Sequence, residues 1–481
     1  MPLNEFLQKN KSLFLVFLLF LIITSIMQFR IAEIIGYDGY FHIKMAEITK
    51  TQGFIKEFPY TTESILADSY ANLHLLFHII LIPFTYFGLM LGAKLASILF
   101  SSLCFTFFYW YLKKNKISFP LFWTSLYAIA SVGLMYRFLE PRQMPLAILL
   151  LVLTLYFIDE KMYKSLLLTS LLFTWLYSGF VFQLLVIILY FLINLLINKK
   201  LDFKLLIFPA MGILLALITN PYFPANLSLL YTQLFKVNLL GNLYNAEWKP
   251  WSFIELLRFN WILLILFFLS LLAVIKTMKL DKKSLLFLVL SAIFLIAMLK
   301  TRRMQEYFAP FAVLFASFTL NPYIVKLNEK KALKYMGVVI IVAIAIFSLL
   351  RLNSDIKNNN FLPWYAQGTE YFKTLPHGSK IFINAYTFNY LFFNAPDYKY
   401  THGLDLTYSY LKDPAKFDRY IQALQGKDPG FNIIKQDYNA DYAFIGKLKQ
   451  DIQLFNHVVA YKEDFEVLYE DDSAGILKVK K

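Results

Sequence analysis

The chain holds a single cysteine, Cys104, set inside an apolar run, so neither a disulfide nor a cysteine-ligated zinc site is available to it. Charge is scarce as well, with Asp, Glu, Lys and Arg making up 16% of 481 residues. There is no glycine-rich phosphate loop, nucleophile elbow or dinucleotide fingerprint, which leaves ATP-driven and serine-hydrolase chemistry without support. Internal repeats and low-complexity tracts are also missing. Arginine is rare, at eight residues.

Apolar residues are abundant, at 58%, with 18% aromatic. Runs of roughly 16–20 apolar residues recur along the chain, the length a helix needs to cross a bilayer. The pattern predicts a polytopic α-helical membrane protein. Its net charge of +15 does not require nucleic acid, because lysines in such proteins collect in cytoplasmic turns. The first apolar run ends without a small-residue cleavage site, so it is expected to remain as an anchor.

Spans are expected at 12–29, 94–112, 118–136, 144–159, 165–178, 181–198, 204–219, 259–276, 284–299, 306–321 and 335–350, eleven in all. The stretch 72–88 carries His74, His78 and Pro83 and is assigned to an outer-surface helix. With that assignment the lysine-bearing turns, from Lys9 and Lys11 to Lys326 and beyond, all fall on one side. The N-terminus is then cytoplasmic, in an inner (cytoplasmic) membrane. Every arginine falls outside or at the outer boundary: Arg30, Arg137, Arg142, Arg258, Arg302, Arg303, Arg351 and Arg419. A planar guanidinium suits phosphate better than an ammonium does.

Residues 1–351 therefore form the membrane domain, with long outer loops at 30–92 and 220–258. Residues 352–481 have a soluble composition and form an extracytoplasmic α/β domain. "SKIFINAY", "DYAFIG", "FEVLYED" and "AGILKVK" read as strands, the last two as a hairpin. "DPAKFDRYIQALQG" reads as a helix capped by Asp413 and stopped at Gly426.

Candidate chemistry lies in the loops. Asp38, in "IIGYDGYFHIKMAEI", is flanked by Gly36 and Gly39, which allow a sharp turn and close approach of a ligand. Such an acid beside the hydrocarbon boundary can be a metal ligand, a general base for an acceptor hydroxyl or an anchor for an acceptor amide. It can equally be the cap of a helix starting near Phe41. His42, four residues on, shares a helical face with it and can join it on a metal. His74 and His78 repeat that spacing but read as interfacial residues. Glu247 sits among aromatics in "NLYNAEWKPWSF", where it can position an acceptor or complete a metal site. Arg137, Glu140 and Arg142 share the turn "MYRFLEPRQMP", readable as a helix-end ion pair. Lys300, Arg302 and Arg303 stand on the side that otherwise lacks cations, and a lipid-linked phosphate would give them a reason.

"YDGYFHIKMAE" and "NAEWKPWSF" resemble the first and the later outer-loop motifs of the bacterial oligosaccharyltransferase catalytic subunit. The first is also similar to the loop of other bacterial membrane glycosyltransferases of that superfamily. The resemblance implies the GT-C fold and a transferase whose donor is a polyprenyl-phosphate-linked sugar, acting at the outer face of the bilayer. Asp38 and Glu247 would be catalytic. By the same resemblance Arg302 or Arg303 would hold the donor phosphate. From the residues themselves Arg142 is a further candidate for that phosphate, and Asp38, Glu140 and His42 are the candidates for a divalent cation, Mg or Mn. The second-loop acidic pair is here reduced to Glu140 between basic residues, and the Trp-Trp-Asp-Tyr-Gly acceptor motif is absent. The acceptor is open: a glycan, a lipid or, as in an oligosaccharyltransferase, a protein. A transporter or flippase for lipid-linked glycans is the alternative of another class. Its usual mid-membrane charges are nearly missing from these spans.

Overall fold

The structure, a computed structural model, describes residues 10–237, 246–278, 280–329, 331–359, 362–403, 405–427, 432–447 and 451–481. Lys9 and residues 238–245 of the second long loop lie outside the described residues.

Among the described residues, seven helices are long and apolar enough to cross a membrane: Lys11–Gln28, Leu89–Lys114, Phe180–Asn198, Phe253–Thr277, Lys282–Lys300, Arg302–Leu327 and Gly337–Asn358. An eighth candidate is the bent pair Val132–Leu139 and Met144–Asp159. All eleven expected segments are helical, but several are shorter than a span. The segment at 118–136 splits into Pro120–Ile129 and the start of Val132–Leu139, while 165–178 and 204–219 become Tyr163–Leu176 and Lys204–Ile218. With Leu, Ile and Phe exposed along the long helices, such as Leu196, Ile254 and Leu350, the outer surface of the bundle is hydrocarbon. The chain is a multi-pass membrane protein.

The lysine-bearing turns meet one another. Lys113 Nζ donates to Ser12 Oγ at 2.7 Å, Lys283 pairs with Asp159 at 2.8 Å and also bonds Asn115, and Lys282 donates to Asn194 Oδ1 at 2.7 Å. Lys94 does different work: its ammonium donates to the carbonyls of Gln28 and Ile31, where the first helix ends and its dipole is negative.

The long first loop and the C-terminal domain lie together. That domain has a five-stranded sheet of order β2-β1-β3-β5-β4, with β1 Lys380–Ile383, β2 Lys399–Tyr400, β3 Tyr442–Gly446, β4 Phe465–Glu470 and β5 Ala474–Val479. β1 is parallel to β2 and β3; β5 is antiparallel to β3 and β4. The expected helix is Pro414–Leu424: Asp413 accepts from Lys416 N at 3.0 Å, and Gly426 takes φ +70° beyond its end. The two-residue strand β2 has no sequence signature, yet it carries the junction, because Thr61 of the first loop bridges to Tyr400. Glu63 pairs with Lys380 and Lys416, both at 2.7 Å, and these two ammoniums hold its carboxyl below the usual range against the cost of burial. Tyr40, fully buried, wedges edge-on between Tyr390 and Phe393. The sheet domain is thus pinned to the loop that bears Asp38.

Candidate active site

The site begins at a broken helix. Val132–Leu139 and Met144–Asp159 meet at 107° across Glu140, Pro141, Arg142 and Gln143. Pro141 has no N–H, and it forces Glu140 into an extended conformation at φ −66°, ψ 134°. The break orphans carbonyls, and serines of Leu89–Lys114 satisfy them: Ser97 Oγ donates to Leu139 O at 2.7 Å and Ser101 Oγ to Phe138 O at 2.5 Å.

The two glycines beside Asp38 fit against this turn. Gly36 has φ +78°, and a Cβ there would lie 2.2 Å from Glu140 Oε1; a Cβ on Gly39 would lie 2.7 Å from Pro141 Cδ. The close approach that the sequence suggested for a ligand is made by the Glu140-Pro141 turn instead. Asp38 is the first residue of Asp38–Gln52 and makes no side-chain cap. Its Oδ2 lies 3.0 Å from Arg142 Nη2.

Arg142 gathers two more acids through Nη1, Glu140 Oε2 at 3.2 Å and Glu247 Oε1 at 3.2 Å. Arg137 grips Glu247 bidentately, at 2.7 and 3.3 Å, and turns its Nε to Glu306. Glu247 is held in place by its backbone, whose carbonyl accepts from Thr301 Oγ1 at 3.2 Å. Burial opposes ionisation of Glu247, but Arg137, Arg142 and Arg303 together hold its carboxyl well below the usual range. For Glu140 burial wins: despite Arg142 and Arg137, its carboxyl is pushed up to about 7, helped by the negative charges of Asp38 and Glu247.

Asp38, Arg142 and Glu247 of this cluster line one wall of a cavity of about 540 Å³, with Arg137, Glu140 and Glu306 behind them. Arg303 reaches the same cavity, donating to Tyr177 OH at 2.6 Å with its guanidinium over the Trp248 ring. The sheet domain supplies a further wall through Asp405, Leu406 and Tyr408. Asp405 Oδ1 accepts from Thr407 N at 3.0 Å, and the residue forms no ion pair among the described residues. Burial raises its carboxyl above the ordinary carboxylate range.

The structure therefore brings Asp38, Glu140, Arg142, Glu247 and Arg303 together. Arg302 is elsewhere: it pairs with Glu255 at 2.7 Å, stacks on Trp251 and does not line the cavity. Its neighbour in sequence takes the inward position because the short turn Arg302–Met304 sends adjacent side chains in different directions. Arg137, Glu306 and Asp405 are the site residues that sequence reasoning missed. Arg137 was visible only as part of an ordinary ion pair, Glu306 lies one turn beyond the arginine pair, and Asp405 carries no local signal.

His74 and His78 face inward rather than lying on an exposed surface. His42, His74 and His78 line the cavity, and His42 and His78 are buried. Asn72 Oδ1 accepts from His74 N, so its Nδ2 faces His78 Nδ1 at 2.8 Å. That makes His78 the Nε2–H tautomer, which donates to His42 Nδ1 at 2.9 Å. His42 then keeps its own proton on Nε2, and burial drives its basicity well below the usual histidine range, with His78 and His74 adding to it. A neutral imidazole with both nitrogens so committed has no lone pair for a metal.

The expected cation set, Asp38, Glu140 and His42, does not fit. His42 has no free lone pair, Asp38 and Glu140 both pair with Arg142, and no group of three His, Cys, Asp or Glu among the described residues can hold a metal ion.

No protein-family model and no curated protein sequence matches the chain. Solved structures do match in fold. The oligosaccharyltransferase of Archaeoglobus fulgidus tethered to an acceptor peptide with an NVT sequon superposes with a TM-score of 0.61 at 11% identity, over 99% of this chain and 75% of that one. The same enzyme has been solved with zinc and sulfate, at TM-score 0.60 and 11% identity, over 93% of this chain and 70% of that one. ArnT of Cupriavidus metallidurans bound to undecaprenyl phosphate gives 0.59 at 10% identity, over 97% and 98%. The fold of this chain is GT-C, with a C-terminal sheet domain.

Proposed function

We propose that the chain is a membrane glycosyltransferase that moves a sugar or glycan from a polyprenyl-phosphate carrier to an acceptor at the outer face of the cytoplasmic membrane. The observation that carries this reading is the convergence of Asp38, Arg142 and Glu247, from three separate segments, on a cavity that Arg303 also lines. The N-terminus and the lysine turns are then cytoplasmic, and the sheet domain is extracytoplasmic.

Each group has a task. The carrier's tail lies in the bilayer, and Arg142 and Arg303 hold its phosphate by charge-assisted hydrogen bonds. An acceptor oxygen attacks the anomeric carbon and gives up its proton to the carboxylate side of the site, at Asp38. The bond between that carbon and the phosphate oxygen breaks, and its electron pair leaves with the polyprenyl phosphate. Guanidiniums fixed where that charge develops stabilise the departure without reorganising. Glu247 keeps Arg137 and Arg142 in place for this.

The undecaprenyl phosphate bound to a structure of the same fold supports the choice of carrier. The likeness to an oligosaccharyltransferase leaves a protein acceptor among the possibilities, although the five-residue acceptor motif is absent. The test is transfer by purified protein in nanodiscs, with polyprenyl-phosphate-linked sugars as donors. Full turnover by an Asp38→Ala variant would reject this mechanism.

A further inference from the structure

Three acids from three stretches of chain crowd around one point, and that point is a guanidinium. Asp38 comes from the first loop, Glu140 from the helix break and Glu247 from the second long loop, and their nearest oxygens lie 3.0, 3.2 and 3.2 Å from Arg142 nitrogens. Carboxylates brought this close repel unless a cation lies between them. A divalent ion would do so with oxygens at about 2.0–2.6 Å. Here the planar fork of an arginine does it at hydrogen-bond distance, and its charge cannot be removed by pH.

We propose that Arg142 takes the place of a bridging divalent cation in this chain, so that the cluster assembles and meets its anionic ligand without metal. Two features lock the guanidinium in. The Arg142 side chain is only 7% exposed, and Pro141 beneath it is packed against Gly39, where a side chain would not fit. Arg137 holds the far side of Glu247 and so blocks a second approach to that carboxylate. Counting Glu306 and Arg303, four carboxylates face three guanidiniums, so the site already carries most of the positive charge that an ion would have brought. The identity of the anionic ligand rests on the donor reading above; the replacement of the cation by Arg142 does not.

The experiment uses the full chain in nanodiscs after EDTA treatment, with Mn²⁺ as the probe and free Mn²⁺ read by electron paramagnetic resonance. The wild type is expected to take up none at concentrations up to about 1 mM, the weak end for carboxylate cation sites. Arg142→Ala, and Arg142→Gln as a variant of closer volume, are expected to take up one Mn²⁺ per chain and to lose it when Asp38→Asn is added. Uptake of one Mn²⁺ by the wild type, released by Asp38→Asn, would overturn the proposal. So would failure of both folded Arg142 variants to gain a site. In parallel, undecaprenyl phosphate affinity of the wild type is expected to be the same with and without EDTA, and a loss of about tenfold that Mn²⁺ restores would also overturn it. If undecaprenyl phosphate binds under no condition, the donor reading fails, while the Mn²⁺ measurements still decide the role of Arg142.

Discussion

Arg142 Nη2 lies 3.0 Å from Asp38 Oδ2, a contact that joins the first loop to a helix break more than a hundred residues later in the chain. It depends on two glycines, a proline and a buried arginine all being in place, and it sets the geometry on which the following predictions rest.

Replacing Asp38 by Asn keeps the shape and removes the charge. Transfer from a polyprenyl-phosphate sugar should fall by about 10²–10⁴, the range for losing a positioned acid–base group. The sheet domain should stay docked, because Glu63, Tyr40 and Thr61 make that junction and Asp38 does not. A turnover assay beside a proteolysis pattern separates the two effects.

Glu140 should make ligand binding pH-dependent. Its carboxyl is pushed up to about 7, so it is protonated below that pH and adds a negative charge above it. Undecaprenyl phosphate should therefore bind more weakly as pH rises through about 7, and Glu140→Gln should flatten that limb. Stability moves the same way. The folded state binds this proton more tightly than the unfolded chain, whose carboxyl has the ordinary value of 4.5, so stability is lost as pH rises from 4.5 to about 7. The groups that face Glu140 are Arg142, Arg137, Asp38, Glu247, Tyr37 and Tyr136.

The adjacent arginines should behave differently. Arg303→Ala removes a cavity guanidinium and should weaken undecaprenyl phosphate binding by about 1.5–3 kcal/mol, the usual worth of a charge-assisted hydrogen bond. Arg302→Ala breaks a partly exposed pair with Glu255 and should leave that binding within about twofold. Equal losses in the two variants would contradict the inward placement of Arg303.

Gly36→Ala and Gly53→Ala share a positive φ, +78° and +75°, but only the first meets an obstacle, Glu140 Oε1 at 2.2 Å; nothing lies within 4 Å of a Cβ on Gly53. Gly53→Ala should cost about 1–3 kcal/mol for the backbone alone, because φ +75° with ψ −150° is a conformation open essentially only to glycine. Gly36→Ala should cost about 1–3 kcal/mol more through overpacking and should also lower turnover by displacing Glu140. Thermal unfolding of both variants, with turnover measured in parallel, checks this.

Asp405→Asn tests the wall that the sheet domain supplies. The side chain faces the cavity and is free of any ion pair among the described residues, unlike Asp38, Glu140, Glu247 and Glu306. Turnover should fall while undecaprenyl phosphate affinity holds, because the phosphate is held by arginines of the membrane domain. A parallel loss of both would place Asp405 at the carrier instead.

Much of this was readable without coordinates. Hydropathy located the membrane helices because a helix in lipid must be apolar over a set length, whatever its neighbours. Alternation and turn residues located β1, β3, β4, β5 and the helix Pro414–Leu424 for similarly local reasons. The sorting of lysines from arginines along the chain was visible too, and the lysine turns do meet in space. Asp38 and Glu247 stood out as acids in long loops near apolar runs.

Other features could not be read that way. Whether Gly36 and Gly39 made room for a ligand or for a turn of the protein depended on what packed against them, and that was Glu140 and Pro141. Whether Arg302 or Arg303 entered the cavity depended on a turn of three residues. His42 appeared able to bind metal until Asn72 and His78 decided its tautomer.

Local sequence determined which segments enter the bilayer, which form the sheet, and where charged residues can exist at all, because the energies involved belong to each segment and its solvent. Only the tertiary structure decided which charges neutralise which. Coulomb energy and desolvation depend on distance and burial between residues far apart in sequence, and neither can be read from composition or spacing.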